Sequence, residues 1–415
     1  MLSVEQIFEK LWQACRFKRE SLHTITQDIF AAQGFVLARD VIATRPLPPF
    51  SNSAMDGYAV CLSDAGKEVE IDGRTLAGES NVDFTLTQGF CHKVMTGSPI
   101  PRGTQAVVPL EQVTHGSEGR IVLPSEIRDS QNIRFVGEEI ALDSVILPRG
   151  TRLGALDLGL VASQGLAHVE VYQKPSIAIF SSGDEVIEPG QNALEHQIYN
   201  TNAITLTSIL HRYHHNPHYC GILPDNAELL SKKLRTIGDY DIVVTTGGAS
   251  VGDADLLKST LHKLGARFIF DGVNLKPGKH LSIALLGESI FIMLPGNPLA
   301  SLLHLYTIIL SFLEFCAGAH KCYLKAQLGC VDSEVVLREG VQTLLLGEFR
   351  DGAFHIFNRG KFGSSALINV WKNNALALLD ENYGKINVGE RIQCLLFENE
   401  FEETCQFINT KERSR

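Results

Sequence analysis

The sequence predicts an α/β multidomain protein: a doubly wound α/β domain, a β-rich inserted domain, a linking α+β domain and a C-terminal β domain. Three observations lead there. The chain has 415 residues, too many for one core when a domain usually takes about 100 to 200. Between Pro175 and Gly318 short apolar runs alternate with amphipathic stretches, the rhythm of a mainly parallel sheet covered by helices. On either side, about Ser51 to Arg134 and Leu324 to Phe407, short alternating runs are separated by Gly, Asn, Asp and Pro, as in β structure.

The elements follow in chain order. The first forty residues carry helical periodicity, with Val4, Ile7, Phe8 and Leu11 on one face, up to a proline-dense boundary at Arg45-Pro46-Leu47-Pro48-Pro49. The β-rich stretch then contains runs such as Ala106 to Leu110 and Arg120 to Leu123. A connecting stretch, Val136 to Tyr172, holds Val145-Ile146-Leu147 and a helix from Gly154 to Ser163; since it and the N-terminal segment both flank the insertion, the two are expected to pair. The α/β region reads as strand Ile177 to Phe180, helix Ala203 to His211, strand Tyr219 to Leu223, helix Ala227 to Thr236, strand Ile242 to Thr245, helix Leu256 to Leu264 and strand Ile290 to Leu294. Strand-like runs return at Val341 to Leu346, Ala375 to Leu379 and Ile392 to Phe397. The expected domains are therefore 1–44 with 136–174 (linking, with Met1 to about Lys18 free to pack on the α/β domain), 45–135 (β-rich insertion), 175–320 (α/β) and 321–410 (C-terminal β).

A net charge of −10, with acidic residues spread along the chain, lacks the electrostatic footprint of a nucleic-acid binder. Nine scattered cysteines without a Cys-x-x-Cys pair fit free thiols in a reducing cytoplasm. Met1 to Lys10 does not read as a signal peptide. The longest apolar segment, Leu299 to Cys316, is interrupted by Ser301, His304, Thr307, Ser311 and Glu314, which predicts a buried helix rather than a membrane span. A soluble cytoplasmic protein is expected.

Four turns at predicted strand ends are candidates for holding an anion. Thr246-Gly247-Gly248-Ala249-Ser250 follows the 241–245 run and precedes a helix beginning near Asp255; its glycines allow backbone N–H groups to approach a phosphate at a helix start. No Gly-Lys-Ser/Thr follows, so it is not a Walker loop. Pro295-Gly296-Asn297-Pro298 is stiffened by two prolines that fix φ on either side of the glycine. Ser182-Gly183-Asp184-Glu185 offers a hydroxyl and carboxylates, and Lys276-Pro277-Gly278-Lys279 supplies local cations. Each turn alone is an ordinary connector or solvated surface. On successive strands of one sheet, all four converge beyond the carboxyl ends, where ligands of such sheets bind. Asp184, Glu185, Asp225, Asp253 and Asp255 would repel phosphate unless a cation such as Mg²⁺ intervenes; helix capping is the other reading of Asp225 and Asp255.

Read with Asn52-Ser53-Ala54-Met55-Asp56-Gly57-Tyr58, Met95-Thr96-Gly97-Ser98-Pro99-Ile100-Pro101 and Gln131-Asn132-Ile133-Arg134, these turns resemble, in order, the molybdopterin molybdenumtransferase family, which includes MoeA and the gephyrin E domain. The resemblance runs from roughly Ile7 to Cys316 and weakens afterwards. It implies that the α/β domain binds molybdopterin, and that a homodimer shares active sites between the α/β domain of one subunit and the β insertion of the other. It implies a reaction in which adenylylated molybdopterin and molybdate give molybdenum cofactor and AMP with Mg²⁺. Asp56, Thr96, Glu185, Asp225 and Asp255 are then the expected catalytic residues, with Asp56, Glu185 and Asp255 at the metal. Ser182, Gly183, Asp184, Gly247, Gly248, Ser250, Lys276, Lys279, Pro295, Gly296, Asn297 and Pro298 are expected to bind the pterin nucleotide and molybdate. No general base is singled out. A molybdopterin adenylyltransferase upstream and molybdoenzyme acceptors downstream are the implied partners; nucleic acid and membrane are not.

The sequence departs from the family pattern at Ser51 and Asn200, where Asp is usual, at Phe135 and Val136, often arginine, at Glu139, usually Asp, and at Ile368 and Asn369, where two serines usually follow Gly363-Ser364-Ser365-Ala366-Leu367. Loss of cations and hydroxyls there weakens anion contacts without removing the cleft. The alternative is a gephyrin-like binding scaffold with reduced or no catalysis. A pterin adenylyltransferase fits poorly, because it needs neither the insertion nor the C-terminal domain. Two further expectations concern His211, His214, His215 and His218, read as a solvated helix end rather than a zinc site, and Trp12 and Trp371, read as packed in cores or interfaces.

Overall fold

The structure, a computed structural model, describes residues 1–78, 84–237, 240–247, 256–361, 367–398 and 400–410. Its packing divides the chain into two compact units, one of residues 1–39, 149–158 and 168–415, the other of 40–148 and 159–167.

In the second unit a six-stranded sheet runs in the order Ala106–Pro109, Gly57–Val60, Phe90–Val94, Glu68–Thr75, Arg120–Val122, Thr114–His115. One face buries Tyr58, Val60, Val69, Cys91, Val108 and Ile121. The other buries Ala59, Val94 and Val107. Period-2 alternation thus puts both faces of the central strands against apolar partners. Gly57 is obligatory: a Cβ there would fall 2.3 Å from the Val108 carbonyl oxygen.

In the first unit a six-stranded sheet runs in the order Pro217–Leu223, Ile177–Ser182, Ile242–Thr246, Ser289–Leu294, Ser282–Leu286, Arg267–Asp271. The first four strands are parallel and the last two add antiparallel. Alternate residues explain why helices cover both faces. Ile177, Ile179, Ile242, Val244, Ile290 and Ile292 face one core together with Leu206, Leu210 and the apolar side of the N-terminal helix. Ala178, Phe180, Val243, Phe291 and Met293 face another, against Leu230, Leu234, Leu257 and Leu261 of two further helices. The apolar segment forms a helix over 298–316, with a π turn at Leu305–Ile309, and is buried throughout; among the described residues no other helix is long and apolar enough to cross a membrane.

The N-terminal helix is shorter than its periodicity suggests. It spans Val4–Ala14, opened by a reciprocal cap between Ser3 and Gln6, and buries Val4, Ile7, Phe8 and Leu11. Each such side chain contributes about 1.5 to 3 kcal/mol of transfer free energy, so Ile7→Asp would undock it. After Glu20 the pattern changes: Thr24–Asp28 is a strand, paired with His168–Tyr172, which also pairs with Val36–Leu37. Helix therefore does not extend over the first forty residues as expected. The β-branched run Thr24-Ile25-Thr26 favours a pleated strand, and a partner so far along the chain cannot be read from local period. The expected pairing of the connecting stretch with the N-terminal segment is present in this sheet and in Val41–Ile42 with Val145–Leu147.

The C-terminal strands close into a ring, Gln342–Arg350, Ala353–Ile356, Ala326–Val331, Arg391–Leu396 and Ala375–Leu379, the last pairing back to the first. Leu345, Phe354, Ala377, Ile392 and Cys394 fill it. The ring is fastened to the α/β sheet by the parallel pair Leu275–Lys276 with Gln342 and Thr343, and by the Gln342 Oε1 that accepts Val4 N–H at 2.7 Å.

Trp12 stacks on Phe315 at 4.4 Å between ring centroids. Trp371, by contrast, is 79% exposed and lines an apolar groove of about 450 Å³ with Ile209, Tyr306 and Ile368, so it is not part of the chain's core. The histidine expectation also needs correction. His211 and His218 are exposed, but His215 is buried against Glu314, Nε2 to Oε1 3.2 Å, because the chain turns inward after the helix ends at Arg212. All nine cysteines are free thiols.

Candidate functional site

Two sets of predicted residues, one in each unit, are organised by hydrogen bonds. In the smaller unit Asp56 immediately precedes the 57–60 strand and Thr96 follows the 90–94 strand, its antiparallel neighbour. Asp56 Oδ1 accepts both the backbone N–H and the hydroxyl of Thr96, each at 2.8 Å. The backbone bond first, then the hydroxyl, hold the Asp56 carboxyl below the usual carboxylate range although it is fully exposed. The surrounding turns explain the spacing of the motifs. Ser53 and Ser98 are fully buried. Ser53 Oγ donates to Met55 O, Ser98 Oγ to Met95 O, and Gly97 N–H to Ser53 O at 2.8 Å. Ala54 N–H donates to Asn132 O, so the segments around 52–57, 95–98 and 131–134 form one support beneath an exposed aspartate and threonine. Ser51 Oγ accepts Val136 N–H at 3.2 Å, and Phe135 and Val136 stand about half exposed as apolar surface.

In the larger unit the strands 177–182, 217–223, 242–246 and 289–294 end together, and their turns interlock. Gly247 N–H donates to Leu294 O at 3.2 Å. Gly247 adopts φ +90°, and a Cβ there would lie 2.6 Å from the Ser182 carbonyl oxygen; only glycine fits. Gly296 packs on Gly247 in turn, with 3.3 Å to its Cα from a built Cβ. Asp184 N–H donates to Asp225 Oδ2 at 3.3 Å, which brings the Asp184-Glu185 turn beside the end of the neighbouring strand. Asp225 therefore binds the adjacent turn, while the capping of the next helix belongs to Asn226, whose Oδ1 accepts Glu228 and Leu229 N–H. Asn297 caps the 298–304 helix, Pro298 is its first residue, and Pro295 O accepts the Ser301 hydroxyl. Glu185, Asp184, Asp225 and Gly296 are exposed at this rim; Gly247 and Pro295 are buried under it.

The lysine turn is held by His304, one of the polar residues that interrupt the apolar segment. His304, fully buried on the 298–304 helix, lies 2.6 Å from the Gly278 carbonyl oxygen through Nε2. Gly278 has φ +108°, and a Cβ there would strike the imidazole at 2.7 Å. Lys276 and Lys279 are exposed on either side of it. Burial pushes the His304 imidazole down to about 4, against the opposing bond to Gly278, with His280 adding to the depression. The ring is neutral and acts as a fixed peg. Asn202, likewise not anticipated, donates from Nδ2 to Gly296 O at 2.8 Å. A polar residue inside an apolar helix was the one available signal for His304; for Asn202 it was the place of that residue in Tyr199-Asn200-Thr201-Asn202, a stretch that keeps the final Asn of the family's Tyr-Asp-Thr/Ser-Asn pattern.

Gly248, Ser250, Asp253 and Asp255 lie outside the described residues, as do 362–366 of the altered C-terminal segment; Leu367, Ile368 and Asn369 begin a short helix, Leu367–Trp371. Among the described residues no three His, Cys, Asp or Glu side chains cluster as a metal site.

Comparison with known proteins gives this geometry a family. Residues 2–165 match the family described as the MoeA N-terminal region (domain I and II), and residues 178–314 match a probable molybdopterin binding domain. The chain is 32% identical over 403 residues to a molybdopterin molybdenumtransferase of Haemophilus influenzae, covering 94% of this chain and 98% of that one. It is 30% identical to the protein of the same name from Nostoc sp., over 89% and 87% of the two chains. To gephyrin of Dictyostelium discoideum it is 25% identical, over 95% of this chain and 62% of that protein. The fold is also that of a molybdopterin biosynthesis MoeA protein from Pyrococcus horikoshii, with a TM-score of 0.79, 24% identity and coverage of 95% and 100%. The chain belongs to the MoeA family of molybdopterin molybdenumtransferases.

Proposed function

We propose that this chain is a molybdenum insertase, an enzyme that transfers molybdate to adenylylated molybdopterin and releases AMP and molybdenum cofactor. The interlocked rim of Ser182, Gly247 and Gly296, with a lysine pair pegged by His304, is the observation that carries the reading. Such a rim presents preset backbone and cationic groups to a phosphoanhydride while its carboxylates stand ready for a counter-ion.

Lys276 and Lys279 would hold the pterin and adenylyl phosphates and the molybdate oxyanion as compact charges. Ser182, Gly183, Asp184, Gly247, Gly248, Ser250 and the Pro295-Gly296-Asn297-Pro298 turn would form the walls around the pterin nucleotide. Asp56, Thr96, Glu185, Asp225 and Asp255 are the proposed catalytic set. Exposed Glu185, tethered near Asp225 by the Asp184 amide, is a hard oxygen donor of the kind Mg²⁺ accepts, one or two carboxylates with substrate oxygens and water completing its shell. Glu185 with Asp255 and Asp56 would hold that cation, which when bound neutralises charge developing on the anhydride oxygens.

Asp56 and Thr96 would act in a homodimer, facing the α/β rim of the partner. Molybdopterin adenylyltransferase would supply the substrate and molybdoenzymes would accept the product. The free thiols suit a cytoplasmic protein. Binding of adenylylated molybdopterin tests the site: a tenfold excess over Kd should stabilise the protein by about 1.4 kcal/mol, and an unchanged Tm at saturating concentrations would contradict it.

A further inference from the structure

Beside Glu185 the structure holds a chain of hydrogen bonds whose direction is fixed by one helix cap. Asn200 caps the Thr201–Arg212 helix, its Oδ1 accepting Ala203 N–H at 3.3 Å and the Ser181 hydroxyl at 2.9 Å. With the oxygen committed to the helix, the amide nitrogen must point the other way. It donates from Nδ2 to the Tyr219 hydroxyl oxygen at 2.7 Å. A phenol that accepts on this side directs its own proton elsewhere, and Tyr219 donates it to Glu188 Oε1. Thr246 Oγ1 extends the chain at its start by donating to Ser181 Oγ at 3.3 Å. Every donor from Thr246 to Tyr219 therefore points toward the Glu188 carboxylate, and bonds aligned this way reinforce one another.

Glu188 lies three residues beyond Glu185, and the segment between them is tied at both ends. Ile198 N–H donates to Glu185 O at 2.8 Å, Asn200 N–H to Ile187 O at 2.9 Å, and Val186 pairs with Ile198. Tyr219, on the 217–223 strand, thus anchors through Glu188 the turn that carries Glu185. We propose that Tyr219, oriented by the Asn200 amide, is a positioning residue for Glu185, so that Asn200, Tyr219 and Glu188 together set how the Glu185 carboxylate is presented to the cation and substrate. This rests on the assignment of Glu185 to the catalytic rim made above.

The test exploits the direction of the chain. Asn200→Asp keeps the helix cap but offers Tyr219 a second carboxylate; its single proton cannot serve both, and one bond is lost. Adding Glu188→Gln restores both bonds with reversed polarity, since the introduced side-chain amide donates to the phenol oxygen and the phenol donates to the new carboxylate. Tyr219→Phe removes both bonds and keeps the ring. In AMP release with Mg²⁺, Tyr219→Phe and Asn200→Asp should lower kcat about tenfold and raise the half-saturating Mg²⁺ concentration several-fold, the size expected for one or two lost hydrogen bonds. KM for the pterin nucleotide should hold, and the Asn200→Asp, Glu188→Gln double variant should return to within about twofold of wild type. Amide exchange at Val186 and Ile198 should quicken in the single variants and recover in the double, which reads the anchoring without activity. Wild-type kcat and Mg²⁺ dependence in Tyr219→Phe, or no recovery in the double variant, overturns the inference with the functional reading intact. A wild type that releases no AMP overturns that reading and the catalytic role built on it, and unchanged exchange in Tyr219→Phe overturns the anchoring itself.

Discussion

Gly247 stands so close to Ser182 that a single methyl group at Gly247 would sit 2.6 Å from the Ser182 carbonyl oxygen. The two strand-end turns are therefore one rigid surface, and Gly247→Ala would have to part them while also straining a φ of +90°. We expect a loss of stability of about 1 to 3 kcal/mol and a fall in AMP release of at least about tenfold. Retention of full kcat in the variant would mean that the rim does not need this contact.

Asp56 and Thr96 give a pH signature. The Thr96 bonds depress the Asp56 pKa, so the carboxylate stays charged below the ordinary range near 3.9, and any acid limb of activity due to Asp56 should lie under that value. Thr96→Val removes one of the two bonds and should move this limb upward; Asp56→Asn should abolish turnover while leaving the melting temperature unchanged, because the side chain is exposed. A pH profile insensitive to Thr96→Val would disconnect the pair from the chemistry.

The homodimer proposed above, with a site shared between subunits, can be tested by mixing. The Asp56→Asn and Lys276→Ala variants should each be inactive, yet unfolding and refolding them together in equal amounts should give hybrid dimers with one intact site of two, so that the mixture recovers about a quarter of wild-type activity. Mixtures as inactive as their parents would place Asp56 outside the partner's rim.

His304 should make the protein acid-sensitive. Its imidazole is depressed to about 4 in the folded state by burial, against about 6.5 when unfolded. The unfolded chain thus binds more protons between these values, so stability is full above 6.5 and declines as the pH falls toward 4. The loss from pH 7 to pH 5 should be about 2 kcal/mol. His304→Gln keeps a donor for Gly278 O and should flatten this slope, measured by denaturant unfolding; an equal slope in the variant would assign the acid sensitivity elsewhere.

Glu314 should be a second acid-sensitive group. Its buried carboxylate meets Arg152 Nη2 at 2.6 Å and His215 at 3.2 Å. Burial alone would raise its pKa, but Arg152 and His215 overcome that and lower it. Stability from the pair is therefore present above the ordinary carboxylate value and lost as the pH falls through the depressed one. Glu314→Gln leaves Arg152 without its counter-charge and should cost about 3 to 5 kcal/mol in denaturant unfolding; a change below about 1 kcal/mol would show that Arg152 finds compensation elsewhere.

Where local chemistry decides the structure, the sequence was readable. The strand and helix rhythm of 175–318 follows from alternating apolar residues that feed two cores, and the Pro295-Gly296-Asn297-Pro298 turn follows from the cap and N1 preferences of Asn and Pro. Where a partner lies far along the chain, it was not. Thr24–Asp28 is a strand because His168–Tyr172 lies beside it. His215 is buried against Glu314, a residue far along the chain. The lysine turn could be named from its residues, yet its peg is His304, 26 residues on. Asn200 could be noticed as a departure from the family pattern, but its meaning depends on which side of its amide faces Tyr219, a fact of the folded helix cap.

The most direct test is AMP formed per site when purified protein meets adenylylated molybdopterin, molybdate and Mg²⁺. AMP release should depend on molybdate and fall at least about a hundredfold in Asp56→Asn. Tight pterin binding without AMP would contradict it and leave the chain a scaffold.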